Sequence, residues 1–424
     1  MKKQLIAITI LALCLVGCKQ DNTSSSKSDI TNDNNASTGT TTASQYNIKV
    51  TTRQEGALDI YPGKDGIYFA GVSNENAISY YDESTGESTA ICNRPECRHS
   101  DDSCTAFMPV SIYNLFMNTD KTKLFIQYSD GFADGTTWAI QHIQVCDING
   151  GNRKEIYKSG DNNLGRDFAF SGEEMFFIAD TVDKQTTSSK DILIKLNYIT
   201  GEQNIVHSFE ENAKIIGGYD NYILLDLSVG DTGSSSANIV KFNMDTKEQT
   251  QLLSYTTNGY EANSIAYANN EKLYFIEPTA NEVAVFSVLD MRTNKKTVLN
   301  DTARHFGVHT SDYNSATFTS EYMILKMSIP DDSIKIGAKY ETYAFNLLTG
   351  EQKEINLKTS YEQPYIFLYE ASKNYIIYKE SAEMPITLAN ADGTTSSTSV
   401  MMSLFGVFDK NDYLNSVDKS VELR

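Results

Sequence analysis

The sequence is short of basic residues and of recognisable catalytic motifs. Lys and Arg number 36 against 55 Asp and Glu in a chain of 424 residues, and the formal net charge is −19. Because nucleic-acid binding depends on a basic face, this balance argues against a nucleic-acid partner. No Gly-x-Ser-x-Gly elbow, phosphate-binding loop or dinucleotide-binding fingerprint occurs, so none of these motifs indicates an enzyme.

Tryptophan and proline are also rare, with one and seven copies, whereas Tyr and Phe are plentiful, with 25 and 19 copies. Tyr and Phe favour strands, and no segment with helical periodicity is longer than a turn or two. The apolar content of 40% is enough for a large core. The composition therefore favours an all-β protein.

The first eighteen residues have the pattern of a bacterial lipoprotein signal. Lys2 and Lys3 precede an apolar stretch at 5–16 that is too short to span a bilayer. The stretch ends in Leu-Val-Gly-Cys at 15–18, which resembles the bacterial lipobox. The resemblance implies cleavage before Cys18, lipidation of its thiol with acyl chains such as palmitate, and anchoring to the extracytoplasmic face of the cell membrane. The alternative is an ordinary secretory signal with a chance cysteine.

A polar tether follows the predicted lipidation site. Residues 19–44 are almost entirely Ser, Thr, Asn, Asp, Lys and Gly. Such a segment cannot bury enough surface to offset its ordering entropy, so it behaves as a disordered linker. The predicted organisation is a signal peptide at 1–17, a lipidated cysteine with a disordered tether at 18–45, and a globular domain at 46–424.

From residue 46 onward, a unit of about 50 residues with four strands recurs. The apolar second strands begin at Ile67, Leu124, Met175, Tyr222, Leu273, Tyr322 and Tyr375. The third strands end in an Asp or Asn that opens a turn, at Asp82, Asp147, Asn197, Asn243, Asp290, Asn346 and Asp409, and three of the turns continue into Thr-Gly-Glu. An Asp or Asn side chain can bond its own backbone, and Gly supplies the positive φ that such turns need.

This repeat predicts a β-propeller with seven four-stranded blades, with six or eight blades as alternatives. Two stacked β-sandwiches are the competing architecture. The strand at 47–51 is expected to pair with residues 421–423 and so close the ring.

Three cysteines and one histidine lie within thirteen residues, in the pattern C-x4-C-x-H-x4-C between the first two blades. Cys92, Cys97, His99 and Cys104 supply the Cys3His donor set of a closed structural zinc site, although their spacing departs from the usual zinc fingers and knuckles. Because the domain is expected to be extracellular, a disulfide among these thiols and Cys146 is the alternative. Cys146 has the setting of a buried strand residue, and a disulfide gives His99 no role. Metal, disulfide and unligated thiols all stay open, and all three are structural.

The lipobox, the tether, the Thr-Gly-Glu hairpins and the Cys cluster together resemble uncharacterised surface lipoproteins of Gram-positive bacteria with a TolB-like or WD40-like β-propeller domain. The resemblance extends over most of the chain, but its repeats are generic. It implies an anchored extracellular propeller with no assigned activity. No Gly-His…Trp-Asp signature is present, so the resemblance to WD40 proteins concerns architecture only.

One face of the predicted propeller carries the variable connections. In a propeller, the loop between the second and third strands of a blade opens on the same face as the crossover to the next blade. These loops are long and unequal, at 71–76, 129–137, 180–190, 226–237, 277–282, 328–339 and 379–400. Because function concentrates on loops that vary over a rigid frame, we expect this face to be the working surface, with the Cys cluster also on it.

These features favour a non-catalytic binding module that presents its loop face to a protein, peptide or glycan. The alternative is an extracellular hydrolase or lyase acting on polysaccharide, with carboxylates such as Asp180, Asp226 or Glu277 in the funnel. The less favoured enzyme function gains no support from the remaining histidines, which have no convincing catalytic partner nearby in the sequence. These are His142, His207, His305 and His309.

Overall fold

The structure is a computed structural model. It describes residues 46–51, 60–70, 77–92, 94–101, 103–108, 112–132, 139–160, 162–182, 189–231, 234–258, 266–269, 271–278, 284–303, 316–329, 339–389 and 395–423. The predicted signal, Cys18 and the tether lie outside these residues, as do His305 and His309. Within them, no helix has the length and apolar character needed to cross a bilayer.

Seven antiparallel sheets, each with four consecutive strands, make up the described chain. Blade one contains β2 (Ile60–Pro62), β3 (Gly66–Ala70), β4 (Ile78–Asp82) and β5 (Glu87–Ala90). Blade two contains β6 (Ile112–Met117), β7 (Lys123–Phe132), β8 (Ala139–Asp147) and β9 (Lys154–Lys158). Blade three contains β10 (Asn162–Ser171), β11 (Glu174–Val182), β12 (Ser189–Asn197) and β13 (Gln203–Phe209). Blade four contains β14 (Asn212–Tyr219), β15 (Tyr222–Asp231), β16 (Ser234–Asn243) and β17 (Gln249–Asn258).

The remaining three blades repeat this order. Blade five contains β18 (Ala266–Asn269), β19 (Lys272–Pro278), β20 (Ala284–Asp290) and β21 (Lys295–Ala303). Blade six contains β22 (Ala316–Phe318), β23 (Tyr322–Ile329), β24 (Lys339–Asn346) and β25 (Gln352–Ile355). Blade seven contains β26 (Ile366–Glu370), β27 (Asn374–Ala389), β28 (Thr395–Asp409), helix α1 (Lys410–Leu414) and β29 (Val421–Glu422). The predicted all-β propeller with seven four-stranded blades is confirmed.

The second strand of each blade is apolar on both faces because it is buried on both faces. In β11, Met175 and Phe177 belong to a core shared with blades one and two. Phe176 and Ile178 point the other way, into a core shared with blade four. Since successive side chains of a strand alternate between its faces, an uninterrupted apolar run fits a sheet packed between two neighbours.

The turns between third and fourth strands form as the sequence predicts. Asn197 Oδ1 accepts the backbone N–H groups of Ile199 and Thr200, both at 2.9 Å, and Gly201 has a φ of +81°. The same arrangement recurs at Asn346. Asp409 differs, because it caps helix α1 by accepting from the N–H groups of its first turn. The Asx side chain therefore begins a helix in blade seven and a hairpin turn in these two blades.

The expected pairing of strand 47–51 with residues 421–423 is wrong. Strand β1 (Lys49–Thr51) pairs antiparallel with β10, the first strand of blade three. First strands of successive blades lie side by side around the centre, so β1 lies in the central channel. Ile48 is fully buried there between blades three and four, whereas Val421 and Glu422 pair with β28 at the outer edge of blade seven. The two segments therefore lie at different strand edges, and burial of Ile48 stabilises the edge in the channel.

Blade seven consists only of residues after 365, since β29 pairs with β28 of the same sheet. In the described part of the chain, no strand is therefore shared between blade seven and blade one. Side chains join them instead: the rings of Tyr61 and Tyr369 lie 5.9 Å apart, and Asn374 Nδ2 donates to Glu83 Oε1 at 2.8 Å. The ring closes through these contacts and the buried core on either side.

The connections between strands lie on two faces of the propeller. The turn face carries the connections from first to second and from third to fourth strands, and the long-loop face carries the others. Several predicted long loops are strands for much of their length. The clearest case is 379–400, where β27 and β28 stay paired from Asn374–Asp409 to Ala389–Thr395. We call the outer paired part of this hairpin, residues 382–389 and 395–402, the arm.

Candidate metal centre

The Cys cluster lies on a loop whose two ends pair with the same strand. The N–H of Ile91 donates to the carbonyl of Ile78 at 3.0 Å, and the N–H of Ile78 donates to the carbonyl of Ala106 at 2.9 Å. Phe107 forms a bridge with Ala77. Ala77 and Ile78, at the start of the third strand of blade one, therefore fix where the loop begins and where it ends.

Two tight turns within the loop bring the predicted ligands together. Cys97 N–H donates to the carbonyl of Arg94 at 3.1 Å, which closes the turn around Pro95. Cys104 N–H donates to the carbonyl of Asp101 at 2.9 Å, and the Asp101 side chain accepts the N–H of Ser103 at 2.9 Å. These bonds fold the loop back on itself, so that ligand residues several positions apart come close together.

The four predicted ligand residues converge on one point. The ligand atoms of Cys92, Cys97, His99 and Cys104 all lie within 4.8 Å of one another. His99 Nδ1 is 3.2 Å from Cys104 Sγ, and His99 adopts the left-handed conformation with a φ of +55°. That conformation is uncommon for a residue other than glycine, so the surrounding loop must hold His99 in place.

Hydrogen bonds direct positive charge and dipoles at the thiols. Burial alone raises the pKa of Cys92, but bonds from the Arg94 backbone, the Thr105 side chain and the other two thiols outweigh it and lower this pKa to about 6. Burial raises the pKa of Cys104, whose sulfur accepts the N–H of Ala106 at 3.3 Å. Arg94 Nη2 lies 3.3 Å from Cys97 Sγ. The loop therefore favours at least one thiolate at neutral pH.

The donor set fits a closed tetrahedral zinc site. With Zn–S bonds of about 2.3 Å, the sulfur atoms of such a site are separated by about 3.8 Å. Ligand atoms within 4.8 Å of one another are close to this arrangement. The N–H groups that point at sulfur supply the outer hydrogen bonds typical of thiolate ligands. Three thiols and an imidazole leave no position for a reacting water, so such a site is structural.

The cluster lies at the rim of the ring, in the seam between blades one and two. The connection that carries the cluster is one of those on the long-loop face. It nevertheless packs against a turn that belongs to the turn face. A Cβ on Gly150, which has a φ of +79°, would lie 2.3 Å from the carbonyl oxygen of Ile91. Arg153 Nη1 donates to the carbonyl of Phe107 at 2.8 Å, and Nη2 donates to that of Thr105. The loop therefore links the two blades at their outer edge rather than facing the funnel.

The cysteines of the described residues are free thiols, so no disulfide joins the cluster here. Cys146 is buried to 1% exposure in β8 and belongs to the apolar core. Burial raises its pKa to about 11. The expectation that Cys146 behaves as a buried apolar residue is therefore confirmed.

Two of the predicted non-catalytic histidines have well-defined surroundings. His142 is buried, with Nδ1 2.6 Å from Glu155 Oε2 and Nε2 2.8 Å from Asp130 Oδ2. His207 packs against the rings of Phe209 and Phe242. The partners of His142 are on neighbouring strands, twelve and thirteen residues away, so sequence-local reasoning missed them. Only Nδ1 has hydrogen-bond geometry with its carboxylate, since Nε2 is close to Asp130 without making a hydrogen bond.

The carboxylates of the enzyme alternative are not brought face to face. Asp180 pairs with Asp191 across β11 and β12, and burial raises the pKa of both. By strand alternation Asp180 lies on the side of Ile178, towards blade four. Asp226 lies on the side of Leu224, towards blade five. Blade four therefore separates them. The side chain of Glu277 is outside the described part.

Comparisons with known proteins show only distant likenesses. No protein-family model matches the sequence, and no curated protein matches it. Among solved structures, the chain is similar to the β-propeller domain of the Trilobed protease from Pyrococcus furiosus, at 10% identity, with a TM-score of 0.49, over 86% of this chain and 96% of that one. It is also similar to oligogalacturonate lyase from Vibrio parahaemolyticus, at 8% identity and a TM-score of 0.49, over 87% and 98% of the chains. TolB from Acinetobacter baumannii is 12% identical over 72% and 65%, with a TM-score of 0.33.

Proposed function

We propose that the protein is a lipid-anchored extracytoplasmic propeller and binds a protein, peptide or glycan, without catalysis, through its long-loop face. In this proposal Cys18 carries the lipid and residues 18–45 form the tether. The observation that carries the proposal is that the start of the propeller domain and the arm lie at opposite faces.

Tyr46 lies at the turn face. Its ring packs edge-on against Phe176, with centroids 5.9 Å apart, and the N–H of Asn47 donates to Ser171 Oγ at 2.9 Å. Ser171 begins the turn between the first and second strands of blade three. A tether that ends at Tyr46 therefore leaves from the turn face. With a span of about 30 Å for a flexible segment of this length, it would leave the long-loop face free to meet partners.

The arm projects from the opposite face. Its paired strands extend about eight residues past the body of blade seven, or about 26 Å at the usual rise per residue. The equivalent hairpins of the other blades are shorter: β15 and β16 have ten residues each, and β3 and β4 have five each. A hairpin of this length has room to contact a partner beyond the reach of the neighbouring loops.

The Cys cluster serves this function indirectly in our proposal. Cys92, Cys97, His99 and Cys104 would hold one structural zinc ion. Zinc binding by loops of this kind contributes folding energy outright. The ion would fix the crossover between blades one and two, and so one side of the long-loop face.

Photo-cross-linking on intact cells tests the choice of face. A photoreactive residue replaces Ser397, which is exposed on the arm, or Thr349, which is exposed on the turn face of blade six. We expect cross-linked partner products from position 397 and none from position 349. Equal yields from both positions, or products from 349 alone, would contradict the proposal. Membrane fractionation of a Cys18→Ala variant tests the anchor, since a variant that is still processed and still partitions with detergent would sink that part.

A further inference from the structure

A cavity of about 310 Å³ opens in the central channel near the turn face. Its walls come from the first strands of blades five, six, seven and one. Aromatic rings dominate these walls: Tyr267, Phe318, Tyr369 and Tyr61. The volume is within the range of small-ligand pockets. The cavity is far from the Cys cluster and lies at the opposite end of the channel from the arm.

The rings form two walls. Tyr267 and Phe318 stack on each other, with centroids 4.4 Å apart and planes 11° from parallel. Tyr61 and Tyr369 form the other wall, with centroids 5.9 Å apart and planes at 56°. Phe318, Tyr369 and Tyr61 are less than 9% exposed, so their positions are set by the surrounding packing. The ring positions are therefore preformed, while polar atoms supply the larger part of the exposed lining.

Polar groups also line the cavity, and the one charged group among them is paired with an opposite charge. Glu370 accepts the N–H of Ser320 at 2.5 Å and its hydroxyl at 2.9 Å. It also accepts from Lys410 Nζ at 2.6 Å. The carboxylate charge is thus offset by an ammonium group at contact distance. Asn269 and Thr319 add neutral polar groups to the lining.

We propose that this cavity binds a neutral pyranose sugar. Flat aromatic walls suit the C–H faces of a sugar ring, while a carboxylate, an amide and hydroxyl groups can bond its hydroxyls. Because the charge of Glu370 is already balanced by Lys410, the lining offers no unpaired charge for an organic cation or an acidic sugar. The proposal is independent of the long-loop face, since it concerns a different site at the other end of the channel.

Titration calorimetry on the full chain in detergent tests this. The probes are neutral trisaccharides built on glucose, galactose or N-acetylglucosamine, with a galacturonic acid trisaccharide and choline as charged comparisons. We expect at least one neutral probe to bind and both charged probes to bind at least about tenfold more weakly, a difference of about 1.4 kcal/mol. No binding of any neutral probe, or tighter binding of choline or the acidic sugar, overturns the proposal.

Variants place the binding in the cavity. Tyr267→Ala removes one wall and should weaken binding by at least about tenfold, whereas Tyr267→Phe keeps the ring and should stay within about threefold. Tyr361→Ala, at a residue that is 79% exposed outside the cavity, is the matched control. If Tyr267→Ala fails to fold, Glu370→Gln decides, because it keeps the shape and removes the charge partner of Lys410. Unchanged binding in the folded Tyr267→Ala or in Glu370→Gln would refute the site. Cross-linking from position 397 does not depend on either result.

Discussion

Ile48 and Gly218 fit each other in the wall of the channel. The N–H of Ile48 donates to the carbonyl of Asp220 at 2.6 Å, and a Cβ on Gly218 would lie 2.5 Å from Ile48 Cγ2. Only a residue without a side chain leaves room at this position for the isoleucine. The first residues of the described chain are therefore built into blades three and four and do not merely precede them.

Truncating Ile48 should weaken the propeller measurably. Ile48→Ala leaves a cavity at a fully buried position, and such substitutions cost about 2–5 kcal/mol. We expect a lower midpoint in denaturant with little change in slope, measured by far-ultraviolet circular dichroism. Val421→Ala, on an exposed strand of blade seven, should change the midpoint little. Similar midpoints for Ile48→Ala and the unmodified protein would mean that β1 does not contribute to stability.

Gly150 and Gly201 allow the seam beside the Cys cluster to be tested with a matched pair. Both have a left-handed φ, of +79° and +81°, so alanine costs about 1–2 kcal/mol at either position. Only at Gly150 would the new Cβ meet a neighbour, the carbonyl oxygen of Ile91 at 2.3 Å, whereas nothing lies within 4 Å at Gly201. We expect Gly150→Ala to lose about 1–3 kcal/mol more than Gly201→Ala. Equal losses in thermal unfolding would contradict the docking of this turn.

Elemental analysis tests the proposed zinc. Protein purified without added chelator should contain about one zinc per chain, as expected for a closed site. Cys97→Ser should lose the metal, whereas Cys146→Ala, at a buried thiol of the core, should keep it. Because the ligating thiols must be deprotonated, affinity should fall as the pH is lowered.

The disulfide alternative gives a different result in the same samples. No metal, together with two fewer free thiols in denatured unreduced protein than in reduced protein, would mean that a disulfide holds the loop. If zinc is present, hydrogen exchange in Cys97→Ser should increase mainly in blades one and two, because each blade packs mostly against its neighbours.

Asp418 should make blade seven less stable as the pH becomes acidic. Burial raises the pKa of Asp418, but bonds from Lys379, Ser420 and Tyr365 more than offset this and lower it to about 2. Because the folded pKa is below the unfolded value of about 3.9, the charged form stabilises the native state above that value, and the effect fades as the pH falls towards 2.

Asp418→Asn should therefore cost about 1 kcal/mol at pH 7, a modest value because the pair is partly exposed. The cost should shrink between pH 4 and about pH 2. Thermal melts across this range measure it, with Glu362→Gln, at a residue with an 85% exposed side chain, as the control. A difference that stays constant down to pH 2 would rule out this linkage.

Limited proteolysis tests the predicted boundary of the domain. Residues 19–45 should be trimmed quickly, because a segment of this polar composition is expected to be disordered and so to adapt to a protease. Cleavage should stop close to Tyr46, because the backbone from Asn47 to Thr51 is bonded to blades three and four. Mass spectrometry of the resistant core identifies its first residue. Early cuts at Ile194 or Phe345, inside third strands, would argue against a closed ring.

The sequence predicted the features whose determinants are local. Apolar second strands and Asx turns repeat every 50 residues or so, which was enough to predict seven blades. The Cys cluster could be predicted because all four residues fall within thirteen positions. Asp409 was misread as a hairpin turn because the same side-chain bonds can begin a helix.

Features that join distant parts of the chain could not be predicted. The pairing of β1 with β10 depends on which strand edge is free beside the channel and can bury Ile48, and no local pattern records this. The carboxylates around His142 are in register only after β7, β8 and β9 have paired. The aromatic cavity combines Tyr61 with Tyr369, about 300 positions apart, so its composition appears only in the closed ring.

Among the described residues, blades seven and one are joined only by side-chain contacts and packing, whereas residues 46–51 are bonded to blades three and four on the other side of the ring. A mechanical pull at Tyr46 would load the bonds of Asn47 and Ile48 first, and the pairing of β1 with β10 next. Tension at the start of the domain would therefore be borne by blades three and four before it reached the contacts between blades seven and one.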